Sequence, residues 1–188
     1  LSLDQHYDLK AYCDSKKITY LCTPFSYKAA VEIEELVPFF KIGSGEFQDY
    51  WFIDRLSELK KPIIFSTGMC DESELKGWIQ RYSMSIEDFA LLNCISEYPP
   101  KYEDLNIRFL QKLQQMSPCV VGHSDHSPTI GSSISAVCLG ARIIEKHITL
   151  SHFITGPDAS VSLNPEEFKA MVKAVKLVRA TLLSLIHI

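Results

Sequence analysis

The stretch from 119 to 147 reads CVVG (119–122), HSDHSPTI (123–130), GSSISAVCLGA (131–141) and RIIEKH (142–147), and its succession of textures decides the fold. A short apolar run passes into a loop of His, Ser, Asp and Pro, then into an amphipathic stretch at 132–139, then into a second apolar run at 142–146. This is the pattern of a strand, a helix and another strand. Both runs are apolar on two faces instead of alternating, which suits a parallel sheet covered by helices.

Outward from this unit the same succession recurs about every 25 to 30 residues, as βα units do. Further strand segments fall at 18–22, 39–42, 62–65 and 89–94, and helical segments at 27–36, 51–59, 73–81, 105–115 and 165–183. Residues 3–12 read as one more helix, ahead of the first strand. Two helix starts carry their own signals. Asn164 caps the last helix with Pro165 at its first position and Glu167 three residues on, and Asp71 followed by Glu74 repeats the device. Six βα units are counted, whereas a closed (β/α)8 TIM barrel needs eight strands and commonly about 250 residues. Residues 1–188 are therefore expected to form one partial TIM-barrel domain of α/β class. The deficit is expected on the N-terminal side, because the chain opens inside a helical pattern. An open six-stranded α/β sheet is the alternative. The apolar ending at 182–188 carries no turn chemistry and reads as cut or altered.

Composition narrows the function. The 188 residues are 46% hydrophobic and carry a net charge of −4 with acids and bases scattered along the chain, which gives no footprint for nucleic acid or an anionic membrane. No apolar run reaches the roughly 20 residues that span a bilayer, and residues 1–10 are too polar for a secretory segment. Six cysteines without a CxxC pair read as reduced thiols of a cytoplasmic protein.

In a β/α barrel the chemistry sits at the C-terminal ends of the strands. The residues there are Thr23, then Lys41 to Glu46, Ser66 and Thr67, Ser96 to Tyr98, Ser124 to His126, and Glu145 to His147. Lys41 ahead of a Gly/Ser turn suits a phosphate or carboxylate, with Thr23, Ser44, Ser66 and Thr67 as further donors. A snorkelling lysine or a Schiff-base lysine are the other readings of Lys41. His126 and His147 end consecutive strand patterns, and strands about 4.8 Å apart let two imidazoles share one divalent cation such as Mn²⁺, Mg²⁺, Co²⁺, Fe²⁺ or Zn²⁺. The alternative assigns one histidine to a loop hydrogen bond and the other to acid/base work. His123 is turned away by alternation and reads as packing. Asp158 in a Gly-Pro-Asp turn and Glu46 present carboxylates, and Tyr98 an aromatic wall or a loop anchor.

The ordered set KIGSGE (41–46), STGM (66–69), SEYP (96–99), YEDLN (102–106), GHSDH (122–126), EKHIT (145–149) and GPD (156–158) resembles the sialic acid (N-acetylneuraminate) synthase family. The resemblance runs from about Thr19 to about Lys176. It implies a metal-dependent barrel, Mn²⁺ foremost, that condenses phosphoenolpyruvate with an N-acetylated hexosamine to give a nonulosonate and phosphate. By analogy Lys41, Ser44, Ser66, Thr23, Ser96 and Ser124 contact phosphoenolpyruvate, and His126 and His147 hold the metal. Asp158, Tyr98 and Glu46 face the aminosugar, with Lys41, Glu46 and Asp158 as catalytic residues. Ser96 stands where relatives can have asparagine, and Gly45 looks like the neuraminate and legionaminate branch. The resemblance further implies a homodimer, an acidic residue and a lysine on preceding strands, and a C-terminal antifreeze-like domain after this stretch. A truncated barrel that binds metal and anion without turnover, and an aldolase with an imine on Lys41, are the competing expectations.

Overall fold

The computed structural model describes residues 1–86 and 88–182. Five strands, β1 (Phe40–Ile42), β2 (Ile63–Ser66), β3 (Phe89–Cys94), β4 (Val120–Asp125) and β5 (Ile143–Lys146), follow chain order in one sheet. Among the described residues seven α-helices accompany them: α1 (Leu3–Ser15), α2 (Tyr27–Ile33), α3 (Tyr50–Ser57), α4 (Glu72–Tyr82), α5 (Phe109–Met116), α6 (Gly131–Cys138) and α7 (Pro165–Thr181). The chain divides into two compact units, Leu1–Ala90 and Leu91–Ile188.

In the first unit β1 runs parallel to β2, with Phe40 opposite Ile63 and Ile42 opposite Phe65. All four side chains are fully buried on one face of the pair, while Lys41 and Ile64, opposite each other on the other face, are half-buried. Helix α4 supplies much of the cover. Its Leu75, Trp78, Ile79 and Tyr82 recur at helical spacing and are buried, and Trp78 stacks on Phe47 at 4.9 Å and meets Phe65 edge-on at 4.7 Å. The helix starts where it does because Asp71 and Glu74 cap each other's backbone N–H, both at 2.8 Å.

In the second unit β4 runs parallel to β5, with Gly122 opposite Ile143 and Asp125 opposite Lys146. Helix α6 turns Ser132, Ser133, Ala136 and Val137 inward. Helix α7 begins at the expected box, in which Asn164 Oδ1 accepts from Glu167 N at 3.0 Å and Glu167 Oε2 accepts from Asn164 N at 2.9 Å.

Three expectations need correction. Residues 18–22 form no strand, so the described chain holds five strands instead of six. An apolar run becomes a strand only by sharing a hydrogen-bonded ladder, and this one has none among the described residues, with Ile18 62% and Leu21 40% exposed. The helix expected over 105–115 starts at Phe109, because Asn106 adopts a left-handed conformation (φ 46°) after a 3₁₀ turn over Tyr102–Leu105. The first helix runs on to Ser15 and buries none of its residues. The ending at 183–188 lies outside the described residues. All six cysteines carry free thiols, and among the described residues no helix is long and apolar enough to cross a membrane.

Candidate functional site

Two parallel strands end at the same edge of their sheet, and β4 and β5 deliver His126 and His147 one residue past those ends. Because Asp125 pairs with Lys146, the next residue on each strand stands beside its counterpart. The two ring centroids are 5.3 Å apart, with planes inclined at 62°. Each ring is held by its surroundings. His126 Nδ1 lies 2.7 Å from the carbonyl oxygen of Ile95. A carbonyl only accepts, so Nδ1 carries the proton and the neutral ring keeps its lone pair on Nε2. Burial pushes the His126 pKa down, against the opposing pull of that carbonyl, which favours the neutral form. The backbone at His147 is fixed by Leu163, whose N–H donates to the His147 carbonyl at 2.9 Å and whose own carbonyl accepts from Thr149 at 2.9 Å. Asp158 Oδ2 stands 3.6 Å from His147 Nδ1.

Tyr98 completes the cluster. Its ring stacks on His126 at 4.1 Å and meets His147 edge-on at 5.7 Å. Burial, with Cys94, Asp158 and Glu145 nearby, raises the pKa of its hydroxyl, so it remains protonated. Ser124, 2% exposed, donates to Glu145 Oε1 at 2.6 Å. Ser96 is exposed on the loop after β3. In this unit Tyr98, His126, His147 and Asp158 are therefore together, and Ser124 is tied to Glu145, whose charge also acts on His126 and Tyr98.

In the first unit Lys41 is the middle residue of β1, and its Nζ donates to the Ile42 carbonyl at 2.8 Å. Ser44 Oγ accepts from Gly68 N at 3.0 Å, tying the turn after β1 to the loop after β2. Ser66, 2% exposed, has a buried Oγ with no hydrogen-bond partner among the described residues. Such an orphan costs about 1–3 kcal/mol and marks a place where a ligand oxygen or water belongs. Glu46 Oε2 comes within 3.0 Å of where a side chain on Gly43 would begin, so the Glu46 carboxylate folds back over the turn after β1. Thr23 lines a small cavity of about 140 Å³ with His6, Cys22 and Glu32.

The His126/His147 pair fits a divalent cation by its donor chemistry: two adjacent imidazoles, with the tautomer of His126 set so that Nε2 is unprotonated. Among the described residues no cluster of three or more His, Cys, Asp or Glu forms a closed metal cage. Two nitrogens suit an open coordination sphere that admits water and substrate oxygens. Sequence reasoning placed three charged residues beside the pair at the strand ends but gave them no role. Glu145 is the partner of Ser124, while Asp125 and Lys146 form an ion pair at 3.2 Å with side chains 0% and 1% exposed. Alternation along β4 and β5 was the available signal, since the residue before each histidine must point to the other face.

The chain is similar in sequence and fold to known proteins. The NeuB family pattern matches residues 1–186. Human N-acetylneuraminate-9-phosphate synthase is 34% identical over 183 residues, 96% of this chain and 51% of that protein. The pseudaminic acid synthase of Helicobacter pylori is 36% identical, over 93% of this chain and 52% of that protein. The crystal structure of N-acetylneuraminic acid (sialic acid) synthetase from Leptospira borgpetersenii serovar Hardjo-bovis, in complex with citrate, matches with a TM-score of 0.93 at 28% identity, covering 97% of this chain and 64% of that one. The chain spans about half the length of the curated relatives it matches, and its fold is that of a TIM-barrel-type α/β domain. A match from residue 1 to residue 186, relatives above 30% identity and a shared backbone lead to one assignment: the chain belongs to the NeuB family.

Proposed function

We propose that the protein carrying this chain joins phosphoenolpyruvate to an N-acetylated hexosamine, such as N-acetylmannosamine or its 6-phosphate, giving a sialic-acid-type nonulosonate and inorganic phosphate. The observation that carries this reading is the imidazole pair, 5.3 Å between centroids, with His126 fixed as an Nδ1–H tautomer beside Tyr98 and His147 beside Asp158. His126 and His147 would hold a divalent cation, Mn²⁺ foremost, which when bound supplies Lewis-acid polarisation of the sugar carbonyl.

The remaining work falls to this chain's own groups. Lys41, Ser44, Ser66, Thr23, Ser96 and Ser124 bind the phosphate and carboxylate of phosphoenolpyruvate, and the unpartnered Ser66 hydroxyl is the donor best prepared for it. Carbon C3 of phosphoenolpyruvate attacks the aldehyde carbon of the open-chain sugar. Water adds at C2, and phosphate then departs with cleavage of its C–O bond. Asp158 and Tyr98 orient the sugar, and Glu46 moves a proton at its oxygen. The same reading makes residues 1–188 part of one barrel domain, places the protein in the cytoplasm and makes it a homodimer.

The test uses the whole protein. Phosphate release is expected only when phosphoenolpyruvate, sugar and Mn²⁺ are all present, and His126→Ala or His147→Ala should lower the rate by about 10²-fold or more. Equal release without the sugar overturns the reading.

A further inference from the structure

Asp125 and Lys146 close β4 and β5 and face each other in the register, and each immediately precedes one histidine of the pair. Alternation sends neighbours along a strand to opposite faces, so the rings meet on one side and the ion pair forms on the other. The carboxylate is fully engaged. Its Oδ2 lies 3.2 Å from Lys146 Nζ and accepts from Ser132 Oγ at 2.5 Å and Ser133 Oγ at 2.6 Å, both on α6. Its Oδ1 accepts from Ser127 N at 2.8 Å, and Lys146 Nζ donates to the Ser127 carbonyl. Ser127 is thus gripped by both of its backbone groups. His126 becomes the middle residue of a turn whose two flanks are locked by the same pair of charges.

Stability alone does not explain these charges, because the desolvation of a buried pair offsets its attraction and apolar replacements of similar volume are often neutral. Their place in the chain does. We propose that the Asp125–Lys146 ion pair is a positioning device that sets the separation and aim of His126 and His147. The inference deepens, and rests on, the reading of those histidines as ligands of one cation.

The decisive variant is D125N/K146M, which removes both charges at nearly constant volume, whereas either single change strands the other charge. Two measurements on the whole protein separate the questions. Without metal, long-range ¹H–¹⁵N spectra at fixed pH report the tautomer of each histidine ring. Wild type is expected to show His126 with its proton on Nδ1 only, and the double variant a mixture. With metal, electron paramagnetic resonance titration of Mn²⁺ is expected to show an affinity lower by about 10–100-fold and an altered bound-Mn²⁺ spectrum. The melting temperature should change little. If D125N/K146M does not fold, Asp125→Glu serves instead, since it keeps the charge and displaces the anchor by one methylene. A single His126 tautomer together with wild-type Mn²⁺ affinity in the variant that folds overturns the proposal. Failure of the parent reading looks different: the His126→Ala/His147→Ala protein then binds Mn²⁺ as wild type does, while the metal-free spectra still decide whether the ion pair positions the rings.

Discussion

The hydroxyl of Tyr82 donates to Asp54 Oδ1 at 2.8 Å, while Arg81 reaches Asp54 Oδ2 at 2.8 Å. Burial, and then the adjacent carboxylate, pushes the Tyr82 pKa up to about 12. Its unfolded value is about 10, so between these pH values the folded state holds a proton that the unfolded chain has released. Stability from this group is therefore complete below pH 10 and falls as pH rises toward 12. Tyr82→Phe should lose about 1 kcal/mol at neutral pH with the hydrogen bond. The gap between variant and wild type should close across the alkaline window in urea melts at stepped pH. A gap that widens there would contradict the assignment. At this scale the sequence was legible wherever height along a strand decides position, which is how His126 and His147 could be named together. The Asp125–Lys146 pair was not legible, because charges at strand ends read as groups at the mouth until their facing is worked out, and its serine partners lie seven and eight residues further on, in a helix.

Among the elements, β4 and β5 show how little slack the sheet has. A methyl group added at Gly122 would come within 2.4 Å of the Ile143 carbonyl oxygen and 2.6 Å of the Leu92 side chain. Neither can retreat easily, since one is ladder backbone and the other is a fully buried core residue. Gly122→Ala is expected to destabilise by about 1–3 kcal/mol through overpacking and to loosen the register that brings His126 beside His147. Thermal unfolding measures the first effect. Near-wild-type stability in this variant would show that the strands do not approach so closely. Helix starts at Asp71 and Asn164 were readable because a capping box is a local signal. The false strand at 18–22 and the late start of α5 were not readable. Pairing depends on a distant backbone, and the residue pattern over 105–115 does not single out Asn106 as left-handed.

Across the whole molecule, burial is uneven within the first unit. Trp78 is 1% exposed at the centre of a cluster with Phe47, Phe65, Tyr82 and Phe89, whereas α1 contributes no buried residue, with Tyr12 63% and Tyr7 49% exposed. Both are helical regions with a capping box, so local signals alone would give them similar persistence. Packing separates them, because most helix stability in a protein comes from burying one face. Opening α1 exposes almost no new apolar surface, while opening α4 must free Trp78, whose loss to alanine costs about 3–5 kcal/mol. Hydrogen exchange followed by mass spectrometry on this chain should therefore rank α1 amides among the first to exchange and those of α4 and β2 among the last. The rates should differ by at least about tenfold, equivalent to 1.4 kcal/mol of opening free energy. If α1 proves as protected as α4, some surface covers it in solution, and the exposure of Leu3, Tyr7 and Tyr12 does not hold for the protein at work.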